Sequence, residues 1–146
     1  MKALNAMLRK QKVTVDLQKQ QLHALQQRHT AADRELQTYR EHCSESERYL
    51  RLQLDDTQEI SLDRLALARR HHAEHHDSCT SAERFLEKLT AELRSQEQAL
   101  QRAEKTLEKL TGIATERRRE AARELQEQEW QQLDEQILAT RGQRAP

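Results

Sequence analysis

The chain has 146 residues, 34% of them charged and 3% aromatic, with two glycines and one proline. That composition excludes a thick globular core and a fold with many tight turns. Its 25 basic residues balance its 25 acidic ones, so no bulk attraction to nucleic acid or to a membrane is expected. What remains is rich in Leu, Ala, Gln, Glu and Arg at helical periodicity, which reads as long helices or coiled coil. Low hydrophobicity alone is also a mark of disorder, but zero net charge and regular leucines oppose it.

The first helix is predicted over residues 2 to 54, which contain no Gly or Pro. With Leu4 as heptad position a, the a column reads Leu4, Gln11, Gln18, Leu25, Ala32, Tyr39, Ser46 and Gln53. The d column reads Leu8, Val15, Leu22, His29, Leu36, Cys43 and Leu50. The d column is mostly apolar and the a column half polar, which gives a long helix of about 75–80 Å with a weak seam. Its start is locally basic, with Lys2, Arg9, Lys10, Lys12 and Lys19 against Asp16, and is read as a solvated face.

The heptad phase fails next. Asp55-Asp56-Thr57 and Ser61-Leu62-Asp63 supply short polar residues that favour turns and N-caps, and Asp55 with Gln58 has capping-box spacing. A turn is therefore expected at about 55–61. From Leu65 a new phase holds. Its a positions are Leu65, His72, Cys79, Leu86, Leu93, Leu100, Leu107 and Ala114; its d positions are Ala68, His75, Ala82, Leu89, Gln96, Ala103 and Leu110. From Leu86 to Leu110 only Gln96 interrupts the apolar seam. Such a 3.5-residue period makes a helix wrap around another helix.

Folding the two seams together about residue 57 pairs Leu8 with Leu107, Val15 with Leu100, Leu22 with Leu93, Leu36 with Cys79, Cys43 with His72 and Leu50 with Leu65. The alternate layers pair Leu4 with Leu110, Gln11 with Ala103, Gln18 with Gln96, Leu25 with Leu89, Ala32 with Ala82 and Tyr39 with His75. Leucines meet leucines, and Gln96 meets another glutamine. The other candidate turn, Asp77 to Ser81, leaves the first residues unpartnered and sets His29 beside Gln128. The expected fold is all-α: a long antiparallel two-helix coiled-coil hairpin over 1–112 with a charged, partly helical C-terminal extension over 113–146.

Gly112 stands where the hairpin runs out, and a kink or loosened turn is expected there, since glycine costs a helix about 1 kcal/mol relative to Ala. The seam lapses at Arg117 and Glu124. Glu and Arg interleaved through the extension offer i,i+4 support. The extension has no helix of its own chain to pack on, yet its last part regains an apolar face at Trp130, Leu133 and Ile137, with Leu138 alongside.

The sharpest local motif is His71-His72-Ala73-Glu74-His75-His76. His71–His75 and His72–His76 are i,i+4 pairs able to chelate zinc, copper or nickel on a helix, with His42 across the hairpin as a further ligand. His71-x-x-Glu74-His75 has the residue order of inverted zinc peptidases, but a two-helix hairpin offers no substrate cleft. The histidines are therefore read as structural: His72 and His75 in the seam, His71 and His76 beside it. No catalytic constellation can be assembled in a pocket, and neither an enzyme nor a cofactor is expected. Cys43 and Cys79, the only cysteines, are read as reduced, buried seam thiols. No apolar run approaches the ~20 residues of a membrane span, and no signal-peptide pattern opens the chain. A cytoplasmic location follows. Tyr39, Tyr49 and Leu54 towards the tip, and Trp130, Leu133 and Ile137 on the extension, are the candidate partner contacts, because exposed aromatics are enriched at interfaces.

Length, a long helical hairpin and near-absence of Gly and Pro resemble the YscO/HrpO/FliJ-like stalk proteins of type III secretion and flagellar export. Tyr39 followed by Glu45-Ser46-Glu47-Arg48-Tyr49-Leu50, the turn some ten residues later and the tail's Gln132-Leu133-Asp134-Glu135 carry the local likeness. Where relatives often have Trp-Arg soon after the tyrosine, this chain has His42-Cys43. The resemblance implies a central stalk that inserts into a hexameric secretion ATPase and bridges it to the cytosolic ring of the export gate, peripheral to the inner membrane. Secretion chaperones are further partners of some members. The alternative is a generic scaffolding coiled coil, homodimeric through its seam or tail.

Overall fold

The computed structural model describes residues 1–55 and 61–144. They form two helices, α1 (Lys2–Asp55) and α2 (Leu62–Arg144), packed against each other as an all-α hairpin. The turn expected at 55–61 falls almost wholly on 56–60, outside the described residues, as does Gln58 of the expected capping box. Its flanks are described: α1 ends at Asp55 and α2 begins at Leu62. At the start of α2 the Ser61 carbonyl accepts the Leu65 N–H at 3.0 Å, and Asp63 places a negative charge in the first turn, where the helix dipole favours it.

The heptad reading is realised residue by residue. Every a and d position from Leu4 to Gln53 and from Leu65 to Ala114 is buried or half-buried. Contacts divide the chain into two units, Met1–Asp16 with Gln101–Pro146, and Leu17–Leu100.

In the first unit Leu4, Leu8 and Ala114 are buried together, with Leu107 and Leu110 packed against them. These are the layers expected from the pairing. The polar layer beside them is satisfied, because the Gln11 side-chain amide donates to the Ala103 carbonyl at 3.0 Å. The loosened turn expected at Gly112 does not interrupt the helix. α2 is helical from Leu62 to Arg144, and Gly112 has no positive φ. The cost of one glycine is small beside the packing of Leu110 and Ala114 on either side of it, and an existing helix propagates cheaply. The core therefore runs on to Ala114, and the extension is helical through Arg144 rather than in part.

In the second unit Ala32, Leu36, Ala68 and Leu89 are buried, Leu36 and Leu89 almost completely, at 2% and 1% exposure. Polar seam residues fix the register here. The Gln96 amide lies 3.5 Å from the Gln18 carbonyl and 3.4 Å from the Gln21 side-chain oxygen, so glutamine does face glutamine. His29 reaches Thr90 rather than Gln128, and α2 passes unbroken through Asp77 to Ser81. Both findings exclude the alternative turn.

Candidate functional site

Two groups of residues were expected to contact partners, the tip residues and the tail stripe, while the histidine run was expected to be structural, with metal chelation as its alternative. The histidine run is split by the helix surface. His72 and His75 are half-buried in the seam, while His71 and His76 are exposed. The Ser46 hydroxyl donates to the Cys43 carbonyl at 2.9 Å, and His72 Nδ1 lies 2.9 Å from the same Ser46 Oγ. With its one proton committed to Cys43, Ser46 accepts from His72, which places a proton on Nδ1. His29 follows the same logic: Thr90 donates to the Leu86 carbonyl at 2.8 Å and accepts from His29 Nε2 at 3.1 Å.

His42 does come across to this run. Its ring lies 5.7 Å from that of His75, tilted by 59°. With Glu45, Ser46, Tyr49, Ala68 and His71 these two rings line an open groove. His71 is directed instead to Glu74, at 3.8 Å. Among the described residues, no group of three or more His, Cys, Asp or Glu side chains is gathered so as to hold a metal ion. Of these imidazoles, His72 is held by Ser46 and His75 lies against His42 in the seam, while His71 and His76 stay on the exposed surface.

The two cysteines are free and half-buried. Burial raises the Cys43 thiol above its ordinary pKa, and the neighbouring Cys79 and Glu47 raise it further. Cys79 donates weakly to Glu83 at 3.8 Å.

The tip aromatics differ from each other. Tyr39 is half-buried in the seam, and its hydroxyl donates to Glu35 on its own helix at 2.9 Å; that hydrogen bond, then the Glu35 charge, raise its pKa. Tyr49 and Leu54 are exposed. Sequence periodicity missed their exposed neighbours Leu52, Leu62 and Leu67, which lie off both seams and signal nothing by spacing alone.

On the tail every described side chain after Ala114 is exposed. Trp130, Leu133 and Ile137 share one helix face at i, i+3, i+7 spacing, and Trp130 is 59% exposed. None of the i,i+4 ion pairs expected there is formed among the described residues. Among the described residues the ion pairs are Arg40–Glu83 and Arg51–Glu47, with the His71–Glu74 contact becoming one only when the ring is protonated. Long exposed side chains gain little from being held together in water. A second set of exposed apolar residues, Met1, Met7 and Val13, lies among the lysines of the α1 start. The heptad reading of α1 had no place for it.

No family model matches the chain, and neither does any curated protein or solved structure. Among the described residues no helix is long and apolar enough to cross a membrane.

Proposed function

We propose that the chain is a non-enzymatic central stalk of a type III protein export apparatus, cytoplasmic and peripheral to the inner membrane. In this reading the hairpin enters the hexameric export ATPase and links it to the cytosolic ring of the export gate, and secretion chaperones bind it as further partners. The observation that supports it most is the division of labour along α2. Up to Ala114 its a and d residues are buried or half-buried against α1, whereas the helix continues to Arg144 with the side chains from Thr115 to Gln143 exposed, carrying Trp130, Leu133 and Ile137 along a stretch of about 45 Å. A hairpin whose second helix continues with exposed side chains suits a part that connects other proteins. The exposed Tyr49 and Leu54 near the tip supply a second contact region.

The same projecting helix also favours the other reading, a homodimeric scaffolding coiled coil. Co-sedimentation of the purified chain with a hexameric export ATPase and with the gate ring, together with the ATPase rate, separates the two. The stalk reading expects binding to both and a faster rate. Binding to neither overturns it.

A further inference from the structure

The tail stripe and the α1 start are opposite in charge and alike in apolar character. From Glu124 to Glu135 the tail carries Glu124, Glu127, Glu129, Asp134 and Glu135 and no basic residue. From Lys2 to Lys12, α1 carries Lys2, Arg9, Lys10 and Lys12 and no acidic one. Ala6, Lys10 and Val13 fall at i, i+4, i+7 on one face of α1, with Met7 beside them, and that face is turned away from the seam: Val13 is 67% exposed. Each surface is an exposed apolar strip with a charged rim, and the rims attract. The strips also match in length: Trp130 to Ile137 and Ala6 to Val13 each span about 10 Å.

The two cannot meet within one chain. Ala114 packs with Leu4 and Leu8, and the unbroken helix carries Trp130 sixteen residues further on, about 24 Å past that layer. We propose that the tail of one copy docks on the α1 start of a second copy, and the reverse, in a two-fold symmetric dimer. Symmetry makes both contacts at once. Pairing tail with tail instead sets acid against acid around Trp130. Dimerisation leaves each hairpin seam intramolecular, so this inference is independent of the stalk reading. It covers the surface that reading assigns to other proteins, so self-pairing competes with them.

Charge exchange on the full chain tests it. Light scattering of the wild type at micromolar concentration is expected to give twice the 17.2 kDa of one chain, falling as salt is raised. Trp130 is the single tryptophan, and its emission is expected to shift to the blue as the dimer forms. A triple variant of Arg9→Glu, Lys10→Glu and Lys12→Glu, and another of Glu127→Lys, Glu129→Lys and Asp134→Lys, are each expected to dimerise at least tenfold more weakly. An equimolar mixture of the two forms one contact of native sign and one of reversed sign, and is expected to recover the dimer and the blue shift. All the changed positions are exposed, and unchanged helicity confirms that the variants fold. A monomeric wild type, homodimers that survive either charge reversal, or a mixture that fails to recover the dimer overturns the proposal.

Discussion

Two stretches of α2 form one continuous helix yet have opposite fates. From Leu65 to Ala114 each a and d residue is buried or half-buried; from Thr115 to Gln143 every residue is exposed. Helix propensity does not separate them, since both are rich in Glu, Gln, Arg and Ala. The difference is whether α1 lies alongside to receive an apolar residue every 3.5 positions. Helicity passes along a chain by propagation, but burial needs a second surface.

The sharpest way to break that contrast is to cut a seam leucine. Leu36→Ala or Leu89→Ala removes a side chain that is 2% or 1% exposed and should cost about 2–5 kcal/mol, read as a lower urea midpoint by circular dichroism. A loss under about 1 kcal/mol means that these residues are not the core. The next effect has the opposite sign. Gln18 Oε1 is buried without a hydrogen-bond partner, and an unsatisfied buried acceptor costs about 1–3 kcal/mol. Replacing the facing pair together, Gln18→Leu with Gln96→Leu, should raise the melting temperature. Polar layers select register, so the same variant should also pair less uniquely, seen as broadened amide spectra. An unaltered or lower melting temperature counts against an orphaned amide in this layer.

The seam was legible in the sequence because its signal is redundant. Leu86, Leu93, Leu100 and Leu107 repeat the same instruction, and a one-residue slip contradicts all of them. Even Gln96, the single break, pointed to Gln18. Isolated signals fared worse. Gly112 suggested a kink or loosened turn, but the helix runs through it with Leu110 and Ala114 packed on either side. Interleaved Glu and Arg suggested ion pairs that are not formed among the described residues, where the long side chains are solvated. Val13 and Met7 were invisible because an exposed apolar residue off the seam looks like ordinary surface until its neighbours' charges are set against those of the tail. The histidine run showed its limits differently: spacing gave the i,i+4 pairs, but only the placement of Ser46 and His42 decides what each ring touches.

A smaller effect tests the exposed side of the contrast. Trp130→Ala should leave the stability of the hairpin within about 0.5 kcal/mol of wild type when measured dilute, where no second copy adds binding energy. A larger loss would show that the tail packs on its own hairpin.

The smallest effect returns to the seam. Burial first, then Cys79 and Glu47, hold the Cys43 thiol above its ordinary pKa. The folded chain therefore keeps its proton where the unfolded chain has begun to lose it. A raised value means stability that is intact below the ordinary thiol pKa and is lost as pH climbs through the folded value. Melting temperatures of wild type and Cys43→Ala, followed from pH 7.5 to 10, should converge as the alkaline limit is approached. Because Tyr39 and the other alkaline groups are common to both chains, the difference isolates this one thiol. Curves that stay parallel would mean that the layer opens to water around Cys43, and that the polar half of the seam is held by the Ser46–His72 and His29–Thr90 hydrogen bonds rather than by exclusion of solvent.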